Sequence, residues 1–305
     1  MSRPEASGPP VAGASAAPSS ELTRRIITAL VAAPVAVGLL AAGGATLAAG
    51  LSIVASICAW EFFRLANASG SAPFTRVGIV AAALVPLAMH AHRLQVVRIG
   101  WEPVAIGVLL LAAVALWRRG PEGRPVEAIA VTVLGVAYAG GALGVGYLLR
   151  AFPYAIGARA QLAVVAFPVV LCWATDVGAY FIGRALRGPK LLPAVSPGKT
   201  ISGACGGLVV TILVAWGYQR WFLRPYAELA FSPAGLVTFA IAVSASGQIG
   251  DLVESMAKRA AGMKDSSSLL PGHGGFLDRL DSVLFALPVA YVLYDAMVLA
   301  APLAR

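Results

Sequence analysis

Carboxylates stand beside long apolar runs in the second half of the chain. Asp176 follows one such run, and Asp251 and Glu254 end a second. Asp278 and Asp281 begin a third. A carboxylate in apolar surroundings is costly, so it needs a partner or a function. The three-residue spacing puts each pair on one helix face. Such faces can converge on a hard cation such as magnesium, which binds carboxylates together with substrate phosphates.

Basic residues accompany these carboxylates. Lys199 lies in the segment "SPGKT", and four more basic residues lie between positions 255 and 282: Lys258, Arg259, Lys264 and Arg279. Fixed cations beside a bound metal are typical of a site for a polyphosphate ligand. The sequence therefore favours a phosphate-binding site over a purely structural cluster of charges.

The loop between residues 255 and 282 also contains "PGHGG", with Gly272, Gly274 and Gly275 around His273. Glycine allows positive φ angles and close approach of the backbone to a ligand. Amides freed in this way can hold a phosphate group. Ser255 precedes this loop, on the helix face predicted for Asp251.

Each of these signals has a structural alternative. Lys199 at a helix start can simply anchor a span, Asp176 can be a buried structural carboxylate, and His273 can be a structural hydrogen-bonding residue. "SPGKT" is not the end of a P-loop, because Pro193 stands where that motif needs glycine. A zinc site is not indicated either, since the three cysteines are widely spaced and the three histidines do not cluster.

The composition indicates a polytopic membrane protein of the all-α class. Hydrophobic residues make up 59% of the 305 residues and charged residues only 12%, with a mean hydropathy of +0.81. A soluble domain typically carries about 25% charged residues. About nine apolar runs are long enough to span a bilayer, at about 25–43, 45–63, 76–92, 102–117, 127–149, 161–183, 203–223, 233–251 and 280–302.

The chain divides into three predicted regions. Residues 1–23 are expected to form a disordered cytoplasmic tail, because their start is rich in Pro, Ala, Ser and Gly. Residues 24–160 are expected to form N-terminal membrane helices, and 161–305 a catalytic membrane domain with a signature loop at 255–282.

The distribution of basic residues predicts the orientation in the membrane. With the N-terminus in the cytoplasm and the C-terminus outside, sixteen of the 23 Lys and Arg residues lie inside. Loops 184–202 and 252–279 then share the cytoplasmic side, which places the site at the cytoplasmic ends of the C-terminal helices. The net charge of +9 is explained by topology and anionic lipids, and no nucleic acid is expected as a partner.

Residues 255–282 resemble the signature of the phosphatidate cytidylyltransferases, also called CDP-diacylglycerol synthases. The matching residues are Ser255, Lys258, Arg259, Lys264, Asp265, His273, Gly274, Gly275, Asp278, Arg279 and Asp281. "DVGAYFIGR" from Asp176 and "SPGKTISGACGG" from Ser196 also resemble segments that precede the signature in that family. The resemblance covers roughly residues 165–300, while the earlier residues match only as hydrophobic spans.

The resemblance implies an enzyme of phospholipid synthesis in the cell membrane that joins CTP and phosphatidic acid to give CDP-diacylglycerol and pyrophosphate. It implies dependence on magnesium, with potassium as an optional companion, and a homodimer among membrane lipids. Asp251, Asp278 and Asp281 are then expected to hold magnesium, with Asp176 as a further candidate.

The resemblance also implies roles for the other residues of the motif. Lys199, Arg259 and Lys264 are expected to contact substrate phosphates, and Lys258 and Arg279 either do the same or pair with carboxylates. Ser255, His273, Gly274 and Gly275 complete the expected phosphate-binding set.

Two other functions remain open from the sequence. A CTP-dependent lipid kinase of the polyprenol type would share the nucleotide but attack its γ-phosphate. An ion-coupled transporter would also carry charges in its spans, although these cluster at one predicted face and no inverted repeat is visible.

Overall fold

The computed structural model describes residues 18–300, so most of the predicted tail and the last five residues lie outside the described range. Helices dominate the described range, and the first begins at Pro18, inside the predicted tail. The helices are α1 Pro18–Ala42, α2 Gly44–Ala68, α3 Thr75–Arg93, α4 Glu102–Arg118, α5 Pro125–Gly135, α6 Ala142–Arg150, α7 Ala158–Leu186, α8 Ile201–Tyr218, α9 Pro233–Ala260 and α10 Leu277–Met297. Four short strands accompany them: β1 Lys190–Leu192, β2 Ser196–Thr200, β3 Leu229–Ala230 and β4 Leu299–Ala300.

Two π-helical segments lengthen the spans. Val136–Gly141 joins α5 to α6 in one continuous segment, and Gln219–Ala227 extends α8. A 3₁₀ turn at Pro121–Gly123 precedes α5. The all-α membrane class is therefore confirmed, with two small antiparallel strand pairs outside its spans.

Eight helical segments within the described range are long and apolar enough to cross a membrane, compared with the nine predicted. The predicted span at 102–117 corresponds to α4, which has only 17 residues and is about 25 Å long. The hydrocarbon core of a bilayer is about 30 Å thick. The prediction of nine spans is thus confirmed for eight of them by length and composition.

Hydrogen bonds between distant segments define two opposite ends of the bundle. At one end, Thr28 of α1 donates to Pro271 O and Arg64 of α2 donates to Ser266 O, so both helices meet the signature loop there. The same end holds β1 and β2, because Arg259 of α9 donates to Val195 O. At the other end, β3 pairs with β4. The two polar loops predicted to share a side therefore do lie together.

The predicted boundaries were wrong at two places near the C-terminus. The last helix ends at Met297 and not at residue 302, because Leu299 and Ala300 are extended and pair with β3. α9 continues to Ala260, beyond the predicted end at 251. The first residues of the predicted signature loop, including Lys258 and Arg259, therefore lie on this helix.

A stack of aromatic rings fills the core between α7, α9 and α10. Phe167 lies parallel to Phe239 with ring centroids 5.1 Å apart, and the wholly buried Tyr294 packs edge-on against Phe239. Toward the end that holds the signature loop, glycines let α8 approach α7 closely. A Cβ atom at Gly203 would lie 2.7 Å from the carbonyl oxygen of Ala179. This packing fixes α7 and α8 against each other beside the polar loops.

Among the basic residues predicted to lie outside, Arg150 is the buried one within the part of the chain that the structure describes. It is 5% exposed, and its Nε donates to Leu40 O at 2.6 Å and its Nη2 to Ala41 O at 3.3 Å. These are orphan carbonyls at the C-terminal end of α1, where a cation is favourable. Arg150 therefore fastens α1 to the bundle, in addition to any effect on topology.

Candidate active site

The acidic cluster of the site is formed by three carboxylates on two neighbouring helices. Asp251 and Glu254 lie near the C-terminal end of α9, and Asp281 lies near the start of α10. One oxygen from each lies within 4.8 Å of the others, which is close enough for the three to hold one cation. The predicted convergence of two acidic helix faces is therefore present, with Glu254 in the position predicted for Asp278.

Asp278 instead organises the signature loop. Its Oδ2 accepts hydrogen bonds from the backbone amides of Ser266 and Gly275, at 2.9 and 2.7 Å, and from the hydroxyl of Ser266 at 2.9 Å. Its Oδ1 lies 2.7 Å from Nζ of Lys258. Because both oxygens already have partners, the structure gives Asp278 a loop-holding position, and its role as a metal ligand stays a prediction.

Lys258 links the loop to the acidic cluster. Its ammonium group pairs with both Asp278 and Glu254. Lys258 was predicted either to contact substrate phosphates or to pair with carboxylates, and the structure shows the second arrangement. Lys258 pairs with Oε2 of the buried Glu254, and within the described part of the chain the other oxygen, Oε1, has no hydrogen-bond partner. Open acceptor positions on a buried carboxylate suit a cation.

Lys199 reaches the same site from a different loop. Its Nζ lies 2.6 Å from Oδ2 of Asp251, with both side chains partly exposed. β2 holds Lys199 in an extended segment, and Thr200 then caps α8 by accepting a hydrogen bond from the amide of Gly203 at 3.1 Å. The segment "SPGKT" is thus a strand followed by a helix cap, and it brings a cation to the acidic cluster.

A basic cavity of about 820 Å³ opens beside this ion pair. It lies between the end of α7, the β1–β2 hairpin and the start of α8. Its charged lining residues are Asp176, Arg184, Arg187, Lys190, Lys199 and Asp251. Four of these six are cations, so the cavity suits an anion with several charges.

The remaining predicted residues take different positions around the loop. Ser255 donates to Asp251 at 3.3 Å. His273 has a buried Nδ1 without a hydrogen-bond partner among the described residues. Gly274 has a φ of +79°, as the glycine-rich loop predicted.

Three basic residues that were predicted to contact substrate phosphates lie at the surface. The side chains of Arg259, Lys264 and Arg279 are exposed at the same end of the bundle. Within residues 18–300 none of the three forms an ion pair. Their assignment to substrate phosphates stays a prediction.

Sequence reasoning missed several residues of the site. Arg184, Arg187 and Lys190 were counted only among the basic residues on the predicted cytoplasmic side and given no role in the site, although Arg184 ends the segment "DVGAYFIGR". Glu61 was not considered, although it is wholly buried and contacts the signature loop. The signal for Glu61 was present in "CAWEFF", where a lone carboxylate interrupts an apolar run.

The fold and the site together define a class: a multi-pass membrane protein with an acidic cluster and a basic cavity at one end of its helices. The family model for the cytidylyltransferase family matches residues 23–297. The chain therefore belongs to the cytidylyltransferase family.

Relatives named phosphatidate cytidylyltransferase agree with this assignment. One from Pseudomonas aeruginosa is 37% identical over 289 residues, which cover 88% of this chain and 95% of that protein. One from Brucella suis is 35% identical over 282 residues, covering 90% and 93%. One from Bacillus subtilis is 43% identical over 132 residues, covering 43% and 47%.

Proposed function

We propose that this protein transfers the cytidylyl group of CTP to phosphatidic acid, giving CDP-diacylglycerol and pyrophosphate. The observation that carries this proposal is the ion pair between Lys199 and Asp251, which joins the basic cavity to the acidic cluster. Membership of the cytidylyltransferase family and the names of the relatives support it.

The chemistry needs positioning more than proton transfer. An oxygen of the lipid phosphate attacks the α-phosphorus of CTP, and the bond from that phosphorus to the bridging oxygen of the pyrophosphate breaks. The bonding electrons leave with pyrophosphate. A phosphate monoester is already largely ionised near neutral pH, since its second pKa is about 6. The residues therefore have to bring two anions together and stabilise the charge on the leaving group.

The basic cavity is suited to the phosphates of the nucleotide. Arg184, Arg187 and Lys190 line it together with Lys199. Lys199 lies closest to the acidic cluster, so it would contact the phosphates nearest to the reacting phosphorus. Arg259, Lys264 and Arg279 are then available at the surface of the same end for incoming anions.

The acidic cluster fits magnesium, because Asp251, Glu254 and Asp281 offer three carboxylate oxygens within 4.8 Å. When bound, magnesium would neutralise phosphate charge and stabilise the leaving pyrophosphate. Asp176 lines the adjoining cavity and stays a further candidate ligand. A potassium ion beside magnesium and a homodimeric assembly are further parts of the proposal.

The site is proposed to face the cytoplasm, where CTP is available, with sideways access for phosphatidic acid from the bilayer. The positive-inside rule supports this orientation. The position of the charges at one end of the bundle, away from its middle, speaks against the transporter alternative.

The function is tested by measuring pyrophosphate release by purified protein supplied with CTP. We expect release only when both phosphatidic acid and magnesium are present, with CDP-diacylglycerol formed in equal amount. Release of CDP with a phosphorylated lipid would support the lipid-kinase alternative. Absence of any nucleotide turnover in a folded preparation would contradict both enzymatic functions.

Asp281→Asn should nearly abolish turnover while the protein still inserts and folds. The amide keeps the size of the side chain but removes a charge that a divalent cation needs. Turnover across a magnesium series and direct binding of Mn²⁺, followed by electron paramagnetic resonance, measure the effect. Asp295→Asn is the matched control, since Asp295 is exposed near the other end of the same helix. A variant at 281 with most of the normal turnover at limiting magnesium would exclude a direct metal role.

Lys199→Gln should lower turnover per inserted molecule at least tenfold. A charge-assisted hydrogen bond is worth roughly 1.5–3 kcal/mol, which is about 10- to 150-fold. Lys199→Arg should restore only part of the activity, because a planar guanidinium differs in shape from an ammonium group. Arg118→Gln controls for the loss of one positive charge at the same end of the bundle. Normal turnover of the Gln variant at normal membrane abundance would reduce Lys199 to an anchor.

Cysteine labelling tests the orientation. The exposed Cys205 is first replaced by serine, leaving two buried cysteines. Ser268→Cys then reports on the exposed part of the signature loop, and Ile156→Cys reports on the opposite end, where Ile156 is 89% exposed. An impermeant maleimide added to intact cells should label position 156 only, and permeabilised cells should label both. Labelling of position 268 from outside would overturn the proposed topology.

A further inference from the structure

Glu61 carries a buried carboxylate in the half of the chain that was predicted to contain only plain membrane spans. It lies on α2 with no exposed surface. Its two oxygens accept hydrogen bonds from the hydroxyl groups of Ser266 and Ser267 and from the backbone amides of Phe276 and Leu277. All four donors belong to the signature loop or to the first residues of the helix that follows it.

The two amides belong to the start of α10, where the first backbone N–H groups of a helix lack partners within the helix. The cap position of α10 is Phe276, whose side chain makes no cap hydrogen bond. Glu61 supplies the missing acceptor from another helix, with its oxygens 3.1 Å from Phe276 N and 2.6 Å from Leu277 N. A negative charge at this place is also favoured by the helix dipole.

Ser266 lies between two carboxylates. Its one hydroxyl proton is shared between Oε2 of Glu61, 3.1 Å away, and Oδ2 of Asp278, 2.9 Å away. Arg64, one turn further along α2, donates to the carbonyl of Ser266 at 2.6 Å. The backbone of Gly275 lies directly against both groups. A Cβ atom there would be only 2.1 Å from the hydroxyl of Ser266 and 2.4 Å from Oε1 of Glu61.

A continuous chain of contacts leads from Glu61 to the acidic cluster. Glu61 and Asp278 share the hydroxyl proton of Ser266, Asp278 pairs with Lys258, and Lys258 pairs with Glu254. We infer that Glu61 is a positioning residue, which fixes the signature loop and the start of α10 so that the acidic cluster has the geometry needed for the reaction. The inference about turnover rests on the proposed function, but the inference about the loop does not.

This role depends on the two acceptor oxygens of the carboxylate and not on its volume. A glutamine has nearly the same shape and would fill the same space. Its amide, however, offers one oxygen acceptor in place of two and turns an N–H₂ group toward groups that are themselves donors. Glu61→Gln therefore removes the hydrogen bonds to one of the two oxygens while it preserves the volume. Glu61→Asp keeps the charge but withdraws it by one methylene group.

The first readout is amide hydrogen exchange over residues 264–277, which does not depend on catalysis. We expect Glu61→Gln to speed exchange in this segment at least tenfold, and exchange in the helices away from the loop to stay unchanged. Glu127→Gln is the matched control. Glu127 is a partly buried glutamate of the N-terminal half that accepts from Ser71 and pairs with Arg124, away from the signature loop.

The second readout is steady-state turnover together with Mn²⁺ binding. We expect Glu61→Gln to lower kcat at least tenfold and to weaken Mn²⁺ binding, with a smaller change in KM for CTP because the basic cavity lies on other elements. Glu61→Asp should be intermediate. If the Gln variant does not fold, Ser267→Ala removes one contact and should show the same changes with smaller size.

Two results would overturn the inference. One is normal loop exchange with kcat within twofold of the unchanged protein. The other is a uniform loss of thermal stability with normal kcat per folded molecule, which would make Glu61 a purely structural residue. Failure of the unchanged protein to turn over CTP would contradict the proposed function, and the exchange measurement would still decide the role of Glu61 in the loop.

Discussion

Lys258 is shared by two buried carboxylates, and this bridge joins α9 to α10 where the signature loop leaves and returns. One partner, Glu254, belongs to the acidic cluster, and the other, Asp278, holds the loop through three hydrogen bonds. Taking ions out of water costs several kcal/mol each, and leaving one buried partner unpaired costs roughly 3–5 kcal/mol. The bridge is therefore stable only with all its members in place, which ties the loop, the two helix ends and the cluster into one unit.

The same cost explains why the charges concentrate at one end of the bundle. Apolar segments must face lipid, so the charged groups of the site lie where helices end and water or a charged ligand is available. At the opposite end, the buried cation of Arg150 instead donates hydrogen bonds to carbonyl groups of α1. A charge that is fully paired within the protein serves the fold. In the acidic cluster, by contrast, Oε1 of Glu254 has no partner among the described residues, and the three carboxylates lie close enough together to hold a cation.

The two halves of the chain cooperate at the site. The predicted division at residue 160 assigns catalysis to the second half, yet Glu61 and Arg64 from the first half hold the loop of the second. The first helices are thus more than a membrane anchor for the catalytic helices. Their contribution is to hold the signature loop in place through Glu61 and Arg64, which need not contact the substrate themselves.

The membrane class, eight of the predicted spans and the residues of the motif could be predicted from the sequence alone. These follow from hydropathy and residue spacing, which are properties of neighbouring residues along one helix. Helix packing places Glu254 beside Asp251 and Asp281, directs Asp278 to the loop and brings Lys199 to Asp251. It also brought in Glu61 from more than 200 residues away in sequence. Spacing along the sequence tells which side chains share a helix face, whereas the packing of different helices decides which faces meet and which donors remain for each carboxylate.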